Sequence, residues 1–179
     1  MMRTLSLSLV VSLSLVACGK SGDKAGDKAA AGDKAKTKAP AAPAALAPID
    51  LKPVPLKADA PAGSTVMDTS VDAPSVMVSG EGCAFMVSTV TEAYPSTYEA
   101  EKSETEKLTD GFKAFSKTEQ FEGGWHLEFE ATSSIDKAPL YGVQVRVTVG
   151  GKQYSCGRND GNKAVIDCAA KACRSLKPA

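Results

Sequence analysis

Two stretches of this chain alternate with a period of two, and they fix the kind of structure it can form. Trp125, Leu127, Phe129 and Ala131 alternate with His126, Glu128, Glu130 and Thr132. Tyr141, Val143, Val145, Val147 and Val149 alternate with Gln144, Arg146 and Thr148. Successive side chains of a strand point to opposite faces, so each pattern predicts a strand with one apolar side. A short loop through Asp136 and Pro139 joins them, so they read as neighbours in an antiparallel meander. On this reading His126 faces away from Trp125 and Leu127, on the wetter side.

The meander extends both ways. Lys113–Phe121 precedes it, Gly123-Gly124 is a hairpin signal, and Gly150-Gly151 turns the chain into Lys152–Cys156. A two-residue turn at Gly123-Gly124 pairs Glu119 with Glu128, two like charges, whereas a three-residue loop avoids this. Upstream, Thr65–Asp68 and Ser75–Val78 are short strands about an Asp72-Ala73-Pro74 turn, and Cys83–Val90 reads as a buried strand. Leu51–Ala62 carries Pro53, Pro55 and Pro61, so it is expected to be extended and irregular, with Leu56-Lys57-Ala58 a short edge strand.

Two helices are predicted. Ser96 with Glu99 three residues later matches a capping box for a helix running to about Leu108, with Gly111 as its stop. Its apolar stripe is thin (Tyr98, Ala100, Leu108) and it carries Glu99, Glu101, Glu104 and Glu106. That predicts a solvated outer helix, with an acidic binding surface as the alternative. The second helix runs from about Asn162 to Leu176, with Pro178 ending it. Its Ala164, Val165, Cys168, Ala169, Ala172, Cys173 and Leu176 share one arc that packs on the sheet. The element order gives an α+β fold, an antiparallel sheet meander with a central helix and a C-terminal helix packed on the sheet.

The N-terminal third has a different character. Met1-Met2-Arg3 is a short positive segment, and Thr4–Val16 is an uncharged Leu/Ser/Val run too short to span a bilayer. Leu15-Val16-Ala17-Cys18 follows, an aliphatic residue, a β-branched residue, a small residue and Cys. This resembles the bacterial lipoprotein signal family across all four positions. The resemblance implies cleavage before Cys18, a diacylglycerol thioether on its sulfur and acylation of the new N-terminus. Two or more acyl chains hold a protein stably on a membrane. Gly19 stands where an aspartate would signal inner-membrane retention, so the resemblance implies an outer-membrane location, facing the periplasm or the cell surface.

Residues 1–17 are thus read as signal peptide, 18–48 as a lipidated Cys and a disordered tether, and 49–179 as one globular domain. The tether repeats Gly-Asp-Lys-Ala at 22–25, 26–29 and 32–35 and then carries Pro40, Pro43 and Pro48. It has no aromatic residue and no apolar face to offset the entropy of ordering it. A coil of this length spans roughly 30 Å. The whole chain carries 21 basic and 21 acidic residues. Arg3 leaves with the signal, and the tether holds six lysines and three aspartates, so residues 49–179 keep 14 basic and 18 acidic side chains, net −4. An acidic domain argues against nucleic acid as a partner, and the basic tether suits anionic headgroups.

The sequence carries no catalytic signature. His126 is its one histidine, so any nucleophile–histidine pair must use it, and no Gly-x-Ser-x-Gly elbow is present. His126, Glu128 and Glu130 share a face and suggest a weak metal site, but pairing of Glu128 or Glu130 with Arg146 or Lys117 is the preferred use. Asn159-Asp160-Gly161-Asn162 lacks the ligand spacing of a calcium loop and reads as a turn capping the last helix. No metal, cofactor or catalytic residue is assigned.

Apart from Cys18, four cysteines remain, an even number in a domain bound for an oxidising compartment. Cys156 ends a strand and Cys173 lies near the end of the last helix; joining them stabilises by roughly 3 kcal/mol. Cys168 and Cys173 lie about 140° apart around the helix, so they reach different neighbours. That leaves Cys168 for Cys83, worth ~4.5 kcal/mol in the same entropy treatment. The competing arrangement keeps Cys83 and Cys168 as buried thiols.

The Pro61-Ala62-Gly63 turn after a short strand, the central helix, the Gly124-Trp125 hairpin and the final helix together resemble the PsbP-like fold across most of residues 50–177. The pattern also resembles small lipoproteins of the bacterial envelope. Such a fold hosts unrelated roles. The expected function is a membrane-anchored, non-enzymatic binding or structural module with an envelope protein or other envelope component as partner. The alternatives are a small-ligand carrier with a cleft between helix and sheet, and an enzyme without a recognisable motif.

Overall fold

The structure is a computed structural model that describes residues 45–179. Leu15–Cys18 and the tether up to residue 44 lie outside the described residues. Ten strands and two helices follow in the order β1 Leu46–Asp50, β2 Leu56–Pro61, β3 Thr65–Asp68, β4 Ser75–Gly80, β5 Cys83–Thr89, α1 Tyr98–Leu108, β6 Phe112–Phe121, β7 Gly124–Thr132, β8 Pro139–Val149, β9 Lys152–Asp160, α2 Lys163–Arg174 and β10 Lys177–Pro178. A seven-stranded antiparallel sheet has the order β3-β4-β5-β9-β8-β7-β6, and a three-stranded sheet has the order β1-β2-β10. The α+β class expected from the element order is what the chain adopts.

Register decides what the large sheet buries. Trp125 stands opposite Arg146, and His126 opposite Val145. The apolar side of β7 is therefore the polar side of β8, so the two alternations are out of phase and neither face is simply wet. One face collects Val76, Val78, Phe85, Val87, Val143, Val145 and Tyr154 into the main core with α2 and the small sheet. The other face carries Trp125, Leu127, Phe129 and Arg146, and α1 lies against it through Arg146 and Gln144. His126 accordingly sits on the core side and is 2% exposed, which corrects the expectation of a wetter position.

The small sheet also departs from expectation. Leu46–Asp50, partly read as tether, pairs with β2 from Leu46↔Pro61 to Asp50↔Lys57. On the other side, Lys177↔Lys57 and Pro178↔Leu56 complete the sheet. Leu56–Pro61 is therefore the central strand rather than an edge, and it buries Leu56, Ala58 and Ala60 completely or nearly so. Pro178 belongs to a strand and does not end the helix; Ser175 caps it, its N–H bonding to Lys171 and Ala172 carbonyls. Pro at a strand of two residues on a sheet edge costs no ladder bond.

α2 begins where Asn162 Oδ1 accepts from Ala164 N at 3.0 Å, and Asp160 Oδ1 accepts from Asn162 N at 2.9 Å, so the Asn159–Asn162 turn caps the helix. Its buried face is Ile166, Ala169, Ala170, Ala172 and Cys173, while Ala164 is exposed. The buried arc therefore includes Ile166 and Ala170, which the sequence arc omits. Burying Ile166 contributes about 1.5–3 kcal/mol, and the alanines let the helix approach the sheet closely. α1 is capped one residue later than expected, by Thr97, whose Oγ1 accepts from Ala100 N at 3.2 Å.

The β6–β7 hairpin turns at Glu122-Gly123, with Phe121 opposite Gly124. It is a two-residue turn set one position earlier than the Gly123-Gly124 alternative. Gly123 supplies φ +82° there, a conformation a side chain disfavours. The shift puts Glu119 opposite His126 and Lys117 opposite Glu128, which removes the like-charge pair. Further along, the Phe129 ring lies over Gly142, where a Cβ would overlap it.

Candidate functional site

α1 covers its face of the sheet with polar rather than apolar side chains. The residues it buries are Glu101 and Thr105. Arg146, 1% exposed on β8, donates from Nη2 to Glu101 Oε2. Its guanidinium also sits 5.2 Å from the Tyr94 ring centroid and 5.3 Å from that of Trp125, in cation–π range. One turn along α1, Thr105 Oγ1 donates to Gln144 Oε1 at 2.7 Å. Burial pushes the Glu101 carboxyl above the usual carboxylate range, with the charge and hydrogen bond of Arg146 pulling it back. Arg146 thus pairs with Glu101 on the α1 face; it does not meet Glu128 or Glu130, which project to the other side.

Between α1 and the sheet lies a cleft of about 410 Å³. Glu101, Glu104 and Asp110 give it an acidic wall, and Leu108, Ile135 and Leu140 give it apolar borders. Glu101 is engaged by Arg146, while Glu104 and Asp110 form no ion pair among the described residues. Ile135 is 94% exposed and Leu108 is 74% exposed. Ile135 is held out by an ordered loop: Ile135 N donates to Ser133 Oγ at 3.3 Å, Ala138 N donates to Asp136 Oδ1 at 3.1 Å, and Lys137 takes φ +59°. Carboxylates beside exposed apolar side chains suit a cationic group carried on an apolar body.

A second hollow of about 380 Å³ lies over the opposite face, between His126 and α2. His126 Nε2 is 3.0 Å from Glu128 Oε1, an ion-pair distance without hydrogen-bond alignment, and both ring nitrogens lack a hydrogen-bond partner among the described residues. Burial first, then the charge of Lys117, holds the imidazole below its ordinary value, against the pull of Glu128. Lys117 and Glu128 border the hollow from the sheet, and Asp167, Ala170, Lys171 and Arg174 from α2. No serine, threonine or cysteine lines it, so His126 has no hydroxyl or thiol beside it there to activate. His126, Glu128 and Glu130 do not form a metal-binding group; no such His/Cys/Asp/Glu group occurs among the described residues.

Cys83 is joined to Cys168, and Cys156 to Cys173, each with Cα atoms 5.5 Å apart. Both bonds tie α2 to the sheet, from β5 and β9 respectively. Nothing in the sequence points directly to the Arg146–Glu101 pair. Its indirect sign was a helix with almost no apolar stripe, followed by an arginine between two valines of a strand.

No family model matches the chain, and no curated protein does. Among solved structures, a Pseudomonas aeruginosa protein of unknown function matches at 13% identity, with 64% of this chain and 82% of that chain covered and a TM-score of 0.35.

Proposed function

We propose that this chain is a membrane-anchored lipoprotein of the bacterial envelope whose globular domain is a non-enzymatic binding module. The Leu15–Cys18 sequence supports the anchor, with lipid on Cys18 holding the protein to the outer membrane. Two disulfides suit an oxidising compartment, and no helix among the described residues is long and apolar enough to cross a membrane. The PsbP-like likeness belongs to the same proposal and rests on the antiparallel sheet with its two helices.

The observation that carries the binding reading is the cleft beside α1, lined by two carboxylates that form no ion pair among the described residues and by two exposed apolar side chains, Leu108 and Ile135. The partner is an envelope protein or other envelope component presenting a cationic group. A photo-crosslinking side chain at position 135 should capture it in intact cells, and Glu104→Gln with Asp110→Asn should abolish capture. Equal capture by that variant overturns the reading. The second reading, a small-ligand carrier, is favoured by the cleft volume, which falls in the range of about 300–1,000 Å³ for ligand sites. Native mass spectrometry after exposure to envelope extract then shows a bound small mass in place of a crosslinked macromolecule. For the anchor, Cys18→Ser should lose incorporation of radiolabelled fatty acid; undiminished labelling refutes it.

A further inference from the structure

Outside the first two residues of the chain, its methionines are Met67, Met77 and Met86. They lie on three adjacent strands, β3, β4 and β5, and the register aligns them directly: Met67 opposite Met77, and Met77 opposite Met86. Residues in register on neighbouring strands share a face. The three thioethers therefore form one row, on the face that carries Trp125 and Arg146 farther across the sheet. Met67 is 59% exposed and Met86 is 43% exposed, with Met77 half-buried between them. Methionine is ordinarily a core residue, so a row of three at the surface calls for a reason other than packing.

The surroundings of the row are neutral. Thr69 Oγ1 donates to Ser75 Oγ at 3.0 Å, and Ser75 and Ser88 share a hydroxyl hydrogen bond at 2.8 Å, forming a rung of hydroxyls on one side. On the other side Thr65 Oγ1 donates to the Ser79 carbonyl at 3.3 Å. Beyond Met86 the row continues to Gly157, which has no side chain to crowd it. Asp68 and Val66, the strand neighbours of Met67, point to the opposite face.

We propose that Met67, Met77 and Met86 form a binding site for one soft monovalent metal ion, Cu(I) or Ag(I). Thioether sulfur is a soft, uncharged donor that selects Cu(I) over hard cations, which prefer oxygen. Three neutral donors leave a single positive charge, a far smaller desolvation than a divalent ion requires. Neighbouring strands are ~4.8 Å apart, and methionine has three rotatable bonds, so the outer two side chains can lean inward and bring their sulfurs to one ion above Met77. The four domain cysteines are locked in disulfides, so these thioethers are the soft donors available on the described surface. The site is separate from the cleft beside α1, and binding there involves no electron transfer.

The test uses the full chain with its disulfides intact and Cys18 alkylated, so that no thiol competes. Ag(I) nitrate in chloride-free buffer is the probe, with Cu(I) competed against a chromogenic chelator as the second. Native mass spectrometry should show one ion per chain. Met77→Leu should weaken binding about 10-fold or more, the loss that even outer-shell partners of a metal produce. The triple variant M67L/M77L/M86L should bind no ion while keeping its melting temperature, because Leu for Met nearly conserves volume. Should the triple variant fail to fold, protection of the native methionines decides: peroxide converts them to sulfoxides, and Ag(I) should block all three. Absence of binding, binding undiminished in the folded triple variant, unprotected methionines, or one ion shared by two chains would each overturn the proposal.

Discussion

Replacing Glu101 by leucine removes the counter-charge of Arg146 at a position where the arginine cannot be hydrated, since Arg146 is 1% exposed. Its guanidinium stays charged at any accessible pH. Breaking a buried pair by removing one partner costs about 3–5 kcal/mol. For a domain of this size each kcal/mol moves the melting temperature by ~3–5 °C, between the values for smaller and larger domains. Glu101→Leu should therefore lower the melting temperature by about 10–20 °C. Arg146→Met should cost less, because the stranded Glu101 can take up a proton whereas the stranded arginine cannot lose one. Burial already holds Glu101 above its ordinary value of 4.5. In Arg146→Met the folded form then binds a proton that the unfolded chain does not, so stability falls as pH rises above 4.5 and recovers as pH drops towards it. The double variant E101L/R146M leaves no orphaned charge and should regain most of the loss. Thermal unfolding by circular dichroism at pH 5 and pH 7.5 measures all three. Glu101→Leu melting within 2–3 °C of the parent (less than about 1 kcal/mol), or a double variant no better than the worse single, refutes the view that α1 is docked through this pair.

The disulfides should differ in weight. Cys83→Ala/Cys168→Ala opens a sequence separation of 85 and should cost ~4.5 kcal/mol, against ~3 kcal/mol for Cys156→Ala/Cys173→Ala, whose separation is 17; urea unfolding under non-reducing conditions checks the order. His126 faces Lys117 and Glu119 of β6, Glu128 of β7, and Asp167, Lys171 and Arg174 of α2. Its folded value lies below the ordinary 6.5, so the unfolded chain takes up a proton first as pH falls, and stability present above pH 6.5 is lost below it. His126→Gln should flatten that part of the melting-temperature profile, and an unchanged profile counts against the burial argument. Deleting residues 22–44 should leave the melting temperature unchanged; a drop of several degrees would mean that this segment packs on the domain.

The two long strands β7 and β8 were legible because each alternates with a period of two, and the turns that bound the meander carry their glycines. What the alternation cannot supply is the phase between strands. Trp125–Ala131 and Tyr141–Val149 look alike in sequence, yet the pairing of Trp125 with Arg146 sends their apolar sides in opposite directions. A one-residue shift of register would have put His126 on the opposite side. Pattern alone therefore misplaced His126 and matched Arg146 with Glu128 or Glu130. The small sheet escaped for another reason: Pro48, Pro53, Pro55, Pro61 and Pro178 signal irregular chain, but Pro53 and Pro55 lie in the β1–β2 connection, Pro61 ends β2, and Pro48 and Pro178 sit on edge strands of a three-stranded sheet. The Asn162 cap was readable because its chemistry is local and needs no partner from elsewhere in the chain.

The two faces of the sheet are held by different physics, and this bears on which one can receive a partner. α2 brings five buried residues and two covalent links to its face. Its opening is limited by hydrophobic burial and by cross-links, and the hollow over His126 is a by-product of charged side chains ringing a packed helix. α1 brings one charged pair, one hydroxyl–amide bond and an edge-on contact of Tyr98 with Trp125. Polar contacts fix direction and spacing better than they fill space, so α1 stands where Arg146 and Gln144 hold it and leaves a cleft beside Glu104 and Asp110. A helix with a full apolar stripe would have closed that space. The thin stripe that made α1 look like a solvated helix in the sequence is thus the feature that gives the domain an open, acidic site.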